Sequence, residues 1–206
     1  MSIYRVPTGT AEARITERGS RFIGWCAPAD DESSAASMLK ERIRLHHNAT
    51  HHCWAMRTGD PASPTERTSD AGEPAGTAGR PILDQLRKAD LIGAMLVVSR
   101  WFGGTKLGRG GLARAYGRCA AETIARLPVD AREPMTRLRV RCGYELIGLV
   151  EANAVRLNGG VVSGDYGTEA RLTIEVPAGC ETRLIARLRE ESGGKVEVIF
   201  ESGKDG

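Results

Sequence analysis

The sequence predicts an α+β protein of two domains, and three observations carry that prediction. The chain has 206 residues, long for one average domain and enough for two small ones. Strand-like and helical periodicities follow one another along its length. The polar stretch 129–134 (Val-Asp-Ala-Arg-Glu-Pro) interrupts them, and the segment beyond it has the order βαββαβ, the split unit of ferredoxin-like folds. The expected domains are residues 1–130 and residues 131–206.

Residues 11–17 and 21–27 alternate apolar and polar around Arg18-Gly19-Ser20, which predicts a hairpin. Asp30 or Asp31 caps a helix reaching about His47, with Ala35, Met38, Leu39 and Ile43 on one stripe. Residues 52–58 form a short strand. Residues 59–79 combine glycine, proline and small polar residues, so they predict one long loop. Pro81 opens a helix over 82–88. Residues 94–102 have the length and apolarity of a buried strand. A glycine-rich segment, 103–111, leads into a helix over 112–127, stopped by Pro128. In the second half, strands are predicted at 136–142, 161–166, 169–176 and 196–201. Helices are predicted at 144–157 and 181–191, closed by Gly159-Gly160 and Gly193-Gly194.

Composition narrows the functional classes. Hydrophobic residues make up 41% and charged residues 27%, an ordinary globular balance. No apolar run approaches the ~20 residues of a membrane helix, and residues 1–19 hold no apolar signal segment. No membrane partner is therefore expected. The cysteines, Cys26, Cys53, Cys119, Cys142 and Cys180, are odd in number and lack C-x-x-C spacing, which suits free thiols in the cytoplasm. The net charge of +3 is small, but its excess of base lies in residues 1–130. No acid occurs from Leu91 to Ala121, a window holding Arg100, Lys106, Arg109, Arg114 and Arg118.

Three segments could carry chemistry. In the first, Arg100 to Leu112, Gly103, Gly104, Gly108, Gly110 and Gly111 stand between a strand and a helix. Successive backbone N–H groups and a helix N-terminus cradle anions, and Lys106, Arg109, Arg100 and Arg114 add cations. These residues are the candidate phosphate or nucleic-acid site, with Trp101 as a stacking surface or a core residue. The spacing matches neither a P-loop nor a dinucleotide fingerprint, and a tight structural turn is the plain alternative. In the second segment, His46, His47, His51 and His52 lie beside Cys53. They are zinc-ligand types, but neighbouring strand residues point to opposite faces, so no metal is expected. In the third, Asp70, Gly72, Glu73, Gly76 and Thr77 sit on the Gly/Pro loop and could orient a ligand or a water. They are a solvated linker otherwise. No catalytic residue and no cofactor are expected.

Together, residues 49–55 (ATHHCWA), 69–81 (SDAGEPAGTAGRP) and 100–117 (RWFGGTKLGRGGLARAYG) resemble the signature of the Impact family, in its bacterial YigZ-type branch. The resemblance implies an N-terminal domain like domain 2 of ribosomal protein S5. It implies a C-terminal domain like the ferredoxin-like domains of elongation factor G. His52 joins Asp70, Gly72, Glu73, Gly76 and Thr77 as family-motif positions. Two positions depart from the family pattern: Ala71 replaces an aspartate, and Met56 stands where an aromatic is common. The eukaryotic relative regulates translation by competing for an activator of a kinase, and bacteria lack that pathway.

Three functions are compatible with these residues. A non-enzymatic, translation-linked regulator would bind RNA, the ribosome or a translation-associated protein, with the basic glycine loop as the nucleic-acid contact. An interaction module would dock a regulatory protein on the same loops. An enzyme would hold a phosphorylated small molecule at the glycine loop, with His52, Asp70 and Glu73 as polar groups. The first is the expectation.

Overall fold

A computed structural model describes residues 3–200. Residues 3–132 pack as one unit, and residues 133–200 pack as another. Each has its own sheet and its own apolar core. The α+β, two-domain class holds.

The N-terminal unit is built on a five-stranded antiparallel sheet. Its strands are β2 (Ala11–Glu17), β3 (Ser20–Pro28), β4 (His51–Thr58), β5 (Thr65–Ser69) and β6 (Ala94–Trp101), in the order β2-β3-β6-β4-β5. Strand alternation divides the sheet into two faces. On one face Phe22, Cys26, Cys53, Ala55, Leu96 and Val98 pack against α2 (Gly79–Lys88) and α3 (Gly108–Ile124). On the other, Trp25, Trp54, Met56, Met95 and Val97 pack with Ala35, Met38 and Leu39 of α1 (Glu32–Leu45). Asp31 caps α1, accepting from the Ser34 N–H at 2.7 Å. Gly24 lets α3 approach β3 closely, since a Cβ there would stand 2.2 Å from the Thr123 hydroxyl.

Three expectations need correction. The stretch 59–79 is not one loop, because it contains β5. Glu66 of β5 accepts from both Arg57 and Arg87, which fastens a strand whose composition gave little sign of it. The polar stretch after Pro128 is a strand, β7 (Val129–Arg132), which returns to pair with β1 (Tyr4–Pro7). The boundary between the units therefore falls after Arg132. Finally, α3 begins at Gly108, so the last residues of the glycine-rich segment are its first turn.

The second unit contains β8 (Met135–Cys142), β9 (Gly160–Tyr166), β10 (Ala170–Pro177) and β11 (Glu197–Phe200) in the order β11-β8-β10-β9. Two helices, α4 (Ile147–Val155, preceded by a 3-10 turn) and α5 (Glu181–Glu191), supply the connections. Leu138, Val140, Leu172 and Ile174 face the core, while Arg137, Arg141 and Glu175 alternate outward. The expected end of β11, Glu201, lies outside the described residues. Among the described residues, no helix is long and apolar enough to cross a membrane.

Candidate phosphate-binding surface and its buried support

Strand parity decides which motif residues meet. On β6, Ala94, Leu96, Val98 and Arg100 share the face covered by α2 and α3. Arg100 thus continues a buried row and is only 5% exposed. Its guanidinium donates to Glu73 Oε1 at 2.6 Å and to Ser20 Oγ at 3.3 Å. It also lies over the rings of Phe22 and Phe102, at 5.5 and 5.7 Å. Its Nε is buried without a hydrogen-bond partner.

Glu73 is equally enclosed. Its Oε1 also accepts from the Tyr116 hydroxyl of α3 at 2.8 Å, and His51 Nε2 stands 3.9 Å away. Cys53 Sγ lies 3.3 Å from the Tyr116 hydroxyl and 3.0 Å from the Asp70 carbonyl oxygen. Burial pushes the Cys53 thiol up to about 12, against the stabilising contact with Tyr116. Burial pushes Tyr116 up as well, and the nearby Cys53 and Glu73 add to it. Both groups keep their protons at neutral pH. The cluster joins β4, β6, α3 and the loop 70–78 inside the apolar core.

Asp70 has a different task. Its Oδ1 accepts from the N–H groups of Ala78 and Gly79, and its Oδ2 from Gly76, so it caps the N-terminus of α2. Burial disfavours its charge, but these backbone donors and Arg109 outweigh it and hold the carboxyl below its ordinary value. Thr77 closes the same loop by donating to the Pro74 carbonyl at 2.6 Å. Gly72 turns the chain beside His51, whose Nδ1 lies 2.9 Å from the Ala71 carbonyl oxygen. We expect Asp70→Ala to lower stability by about 0.5–2 kcal/mol, the usual cost of a lost cap. The depressed carboxyl contributes fully above its unfolded-state pKa, and its contribution is lost as pH falls through the native value. The urea midpoints of wild type and variant should therefore differ at neutral pH and converge in acid.

The histidines divide by the same parity. His51 faces Glu73 and the loop, whereas His52 lies on the α1 face, with Nδ1 2.9 Å from Ser99 Oγ. The grouping of His52 with the acidic loop is therefore corrected: its neighbour His51 occupies that place. His46 contacts Arg42 at 2.9 Å and packs edge-on against Trp101. Burial lowers the pKa of both His46 and His52. Among the described residues, no three metal-ligand side chains converge.

The glycine-rich segment forms the exposed part. Gly103 is packed against the backbone of Gly19 and Ser20, and its N–H donates to Ser20 Oγ at 3.2 Å. Gly104 and Lys106 are exposed, and Gly108, Arg109, Gly110 and Gly111 form the first turn of α3. That turn has no side-chain cap and no acidic residue. Arg109 holds the acidic loop by donating to the Ala75 carbonyl at 2.8 Å. Arg114 is exposed one turn later, on the wall of a cleft of about 650 Å³ shared with Pro81 and Gln85 of α2. Lys106 and Arg114 have no acidic partner among the described residues. Trp101 is occupied: it donates to Asn48 Oδ1 at 3.0 Å, and Arg21 stacks over it at 4.1 Å.

The two units correspond to separate family models. Residues 18–124 match the Impact N-terminal domain, and residues 140–195 match a domain of unknown function, DUF1949. IMPACT family member YigZ of Escherichia coli (strain K12) is 30% identical over 200 residues, spanning 97% of this chain and 98% of its own. An IMPACT family member of Thermus thermophilus is 45% identical over 131 residues, 64% of this chain and 69% of its own. Among solved structures, a crystal structure of a hypothetical protein overlaps with a TM-score of 0.67 at 29% identity. It covers 99% of this chain and 100% of that one.

Proposed function

The chain belongs to the Impact family, and from that membership we propose a non-enzymatic, translation-linked regulator that binds RNA phosphates, free or on the ribosome, at the N-terminus of α3. The translation link rests on the family resemblance. One observation supports the binding surface. Of the two helix N-termini beside the motif loops, α2 is neutralised by Asp70 from within, while α3 is left open between unpaired cations. An open N-terminus carries roughly half a positive charge and several N–H donors. Lys106 and Arg114 add full charges. The surrounding glycines leave the backbone accessible to a phosphate.

The buried cluster supports a binding role over catalysis. Glu73, Arg100, Tyr116 and Cys53 are taken up by one another, and Cys53 and Tyr116 stay protonated at neutral pH. They shape the loops that surround α3. A nucleophile or a general base would need the opposite tuning.

The proposal is tested by co-sedimentation with ribosomes at low salt, with and without nuclease treatment. The wild type should sediment with ribosomes, and Lys106→Ala/Arg114→Ala should remain largely in the supernatant. Sedimentation equal to wild type in the double variant contradicts the assignment. Retention of one stoichiometric protein after nuclease would instead identify a protein partner.

A further inference from the structure

Phe102 is the aromatic residue that the fold leaves open beside this surface. It is 49% exposed, although aromatic residues are scarce in the chain and Phe22 and Tyr116 are fully buried. Its backbone is fixed, since its N–H donates to Thr50 Oγ1 at 3.1 Å. One face of its ring lies over the Arg100 guanidinium, 5.7 Å from the centroid. Arg100 is itself held by Glu73 and Ser20. The half-exposed ring is therefore presented on a fixed backbone and beside a fixed guanidinium.

We infer that Phe102 is a stacking platform for an unpaired RNA base, so that the phosphate surface selects single-stranded over double-stranded RNA. This rests on the RNA reading above and adds the class of RNA. The chemistry favours a base over an apolar protein side chain. The loop neighbours Gly103, Gly104, Thr105 and Lys106 bring no apolar surface, so a protein partner would find one ring without a patch around it. A base needs only one ring face, with phosphate donors nearby. Lys106 lies four positions beyond Phe102, a reach of at most about 14 Å. Ring, cation and open helix end can thus engage one short stretch of strand. In a duplex the bases are stacked on each other and offer no free face to the ring.

The test uses the full chain and a fluorescein-labelled short RNA of mixed sequence, either alone or annealed to its complement, read by anisotropy at fixed salt. Wild type should bind the single strand about tenfold more tightly than the duplex. Phe102→Ala should remove that preference while leaving the salt dependence unchanged, and Phe102→Trp should restore it. The urea midpoint of Phe102→Ala, followed by tryptophan fluorescence, should stay at the wild-type value, which separates lost stacking from lost folding. Equal binding of both RNAs by wild type, or a preference that survives in Phe102→Ala, overturns the stacking role and leaves the phosphate surface standing. Failure of wild type to bind either RNA at low salt overturns both.

Discussion

Glu73→Ala should destabilise the N-terminal domain by about 3–5 kcal/mol, the range found when one partner of a buried ion pair is removed. The side chains of Arg100 and Glu73 are 7% and 3% exposed, so the charge left behind has little access to water. Tyr116 loses its acceptor at the same time, and the Arg100 guanidinium already has one unsatisfied nitrogen. A loss of this size is a large share of the ~5–15 kcal/mol that holds a typical domain. Urea denaturation read by tryptophan fluorescence measures it cleanly, since Trp25, Trp54 and Trp101 all lie in this domain. Glu73→Gln keeps the shape and one acceptor, so it should cost less. Replacing both partners, Glu73→Gln with Arg100→Met, should cost less than the sum of Glu73→Gln and Arg100→Met made singly, because no charge is then buried alone. A Glu73→Ala loss below about 0.5 kcal/mol, the range of an ordinary surface change, would contradict the role assigned to the pair.

Gly103→Ala should have an effect of similar order for a steric reason. A Cβ at this position would stand 1.9 Å from the Gly19 carbonyl carbon and 2.2 Å from the Ser20 nitrogen, both backbone atoms. No rotamer can relieve such a contact, so the 18–20 turn and the glycine loop must separate. Overpacking of a well-packed site costs about 1–3 kcal/mol even where side chains can adjust. Separation would also draw Ser20 away from Gly103 and Arg100. Gly104→Ala is the matched comparison. Nothing lies within 4 Å of a Cβ there, and its φ of +88° brings only backbone strain, about 1–2 kcal/mol. Gly103→Ala should therefore show the lower urea midpoint and the larger loss of RNA affinity. Equal midpoints would contradict the close approach of the two turns.

Most of the architecture was legible because it follows from period and punctuation. The β2–β3 hairpin, α1 with its aspartate cap, and the βαββαβ order all come from local patterns. What escaped was fixed by distant partners. β5 has no apolar alternation and stands because Arg57 and Arg87 meet Glu66. β7 is mostly exposed and stands because β1 is there to pair with it.

The site divides in the same way. The glycine segment and its cations were visible as composition. For Arg100 and His52, strand parity and not motif membership decides the placement. Counting by twos from Val98 places Arg100 on the face covered by α2 and α3, and counting by twos from Cys53 places His51 there and His52 on the α1 face. Tyr116 was missed altogether. It lies 43 residues from Glu73, on a helix whose buried stripe reads as ordinary core. The exposure of Phe102 is not legible in the sequence, because it ends an apolar run and depends on β6 finishing at Trp101.

If the open end of α3 with Lys106 and Arg114 holds RNA phosphates, the salt dependence of binding must run through those two cations. The logarithm of the association constant for a single-stranded RNA should fall linearly with the logarithm of salt concentration. The slope should shrink by about 1.4 in Lys106→Ala/Arg114→Ala, at about 0.7 per phosphate contact on a single strand. A slope identical to wild type in the double variant would contradict the claim.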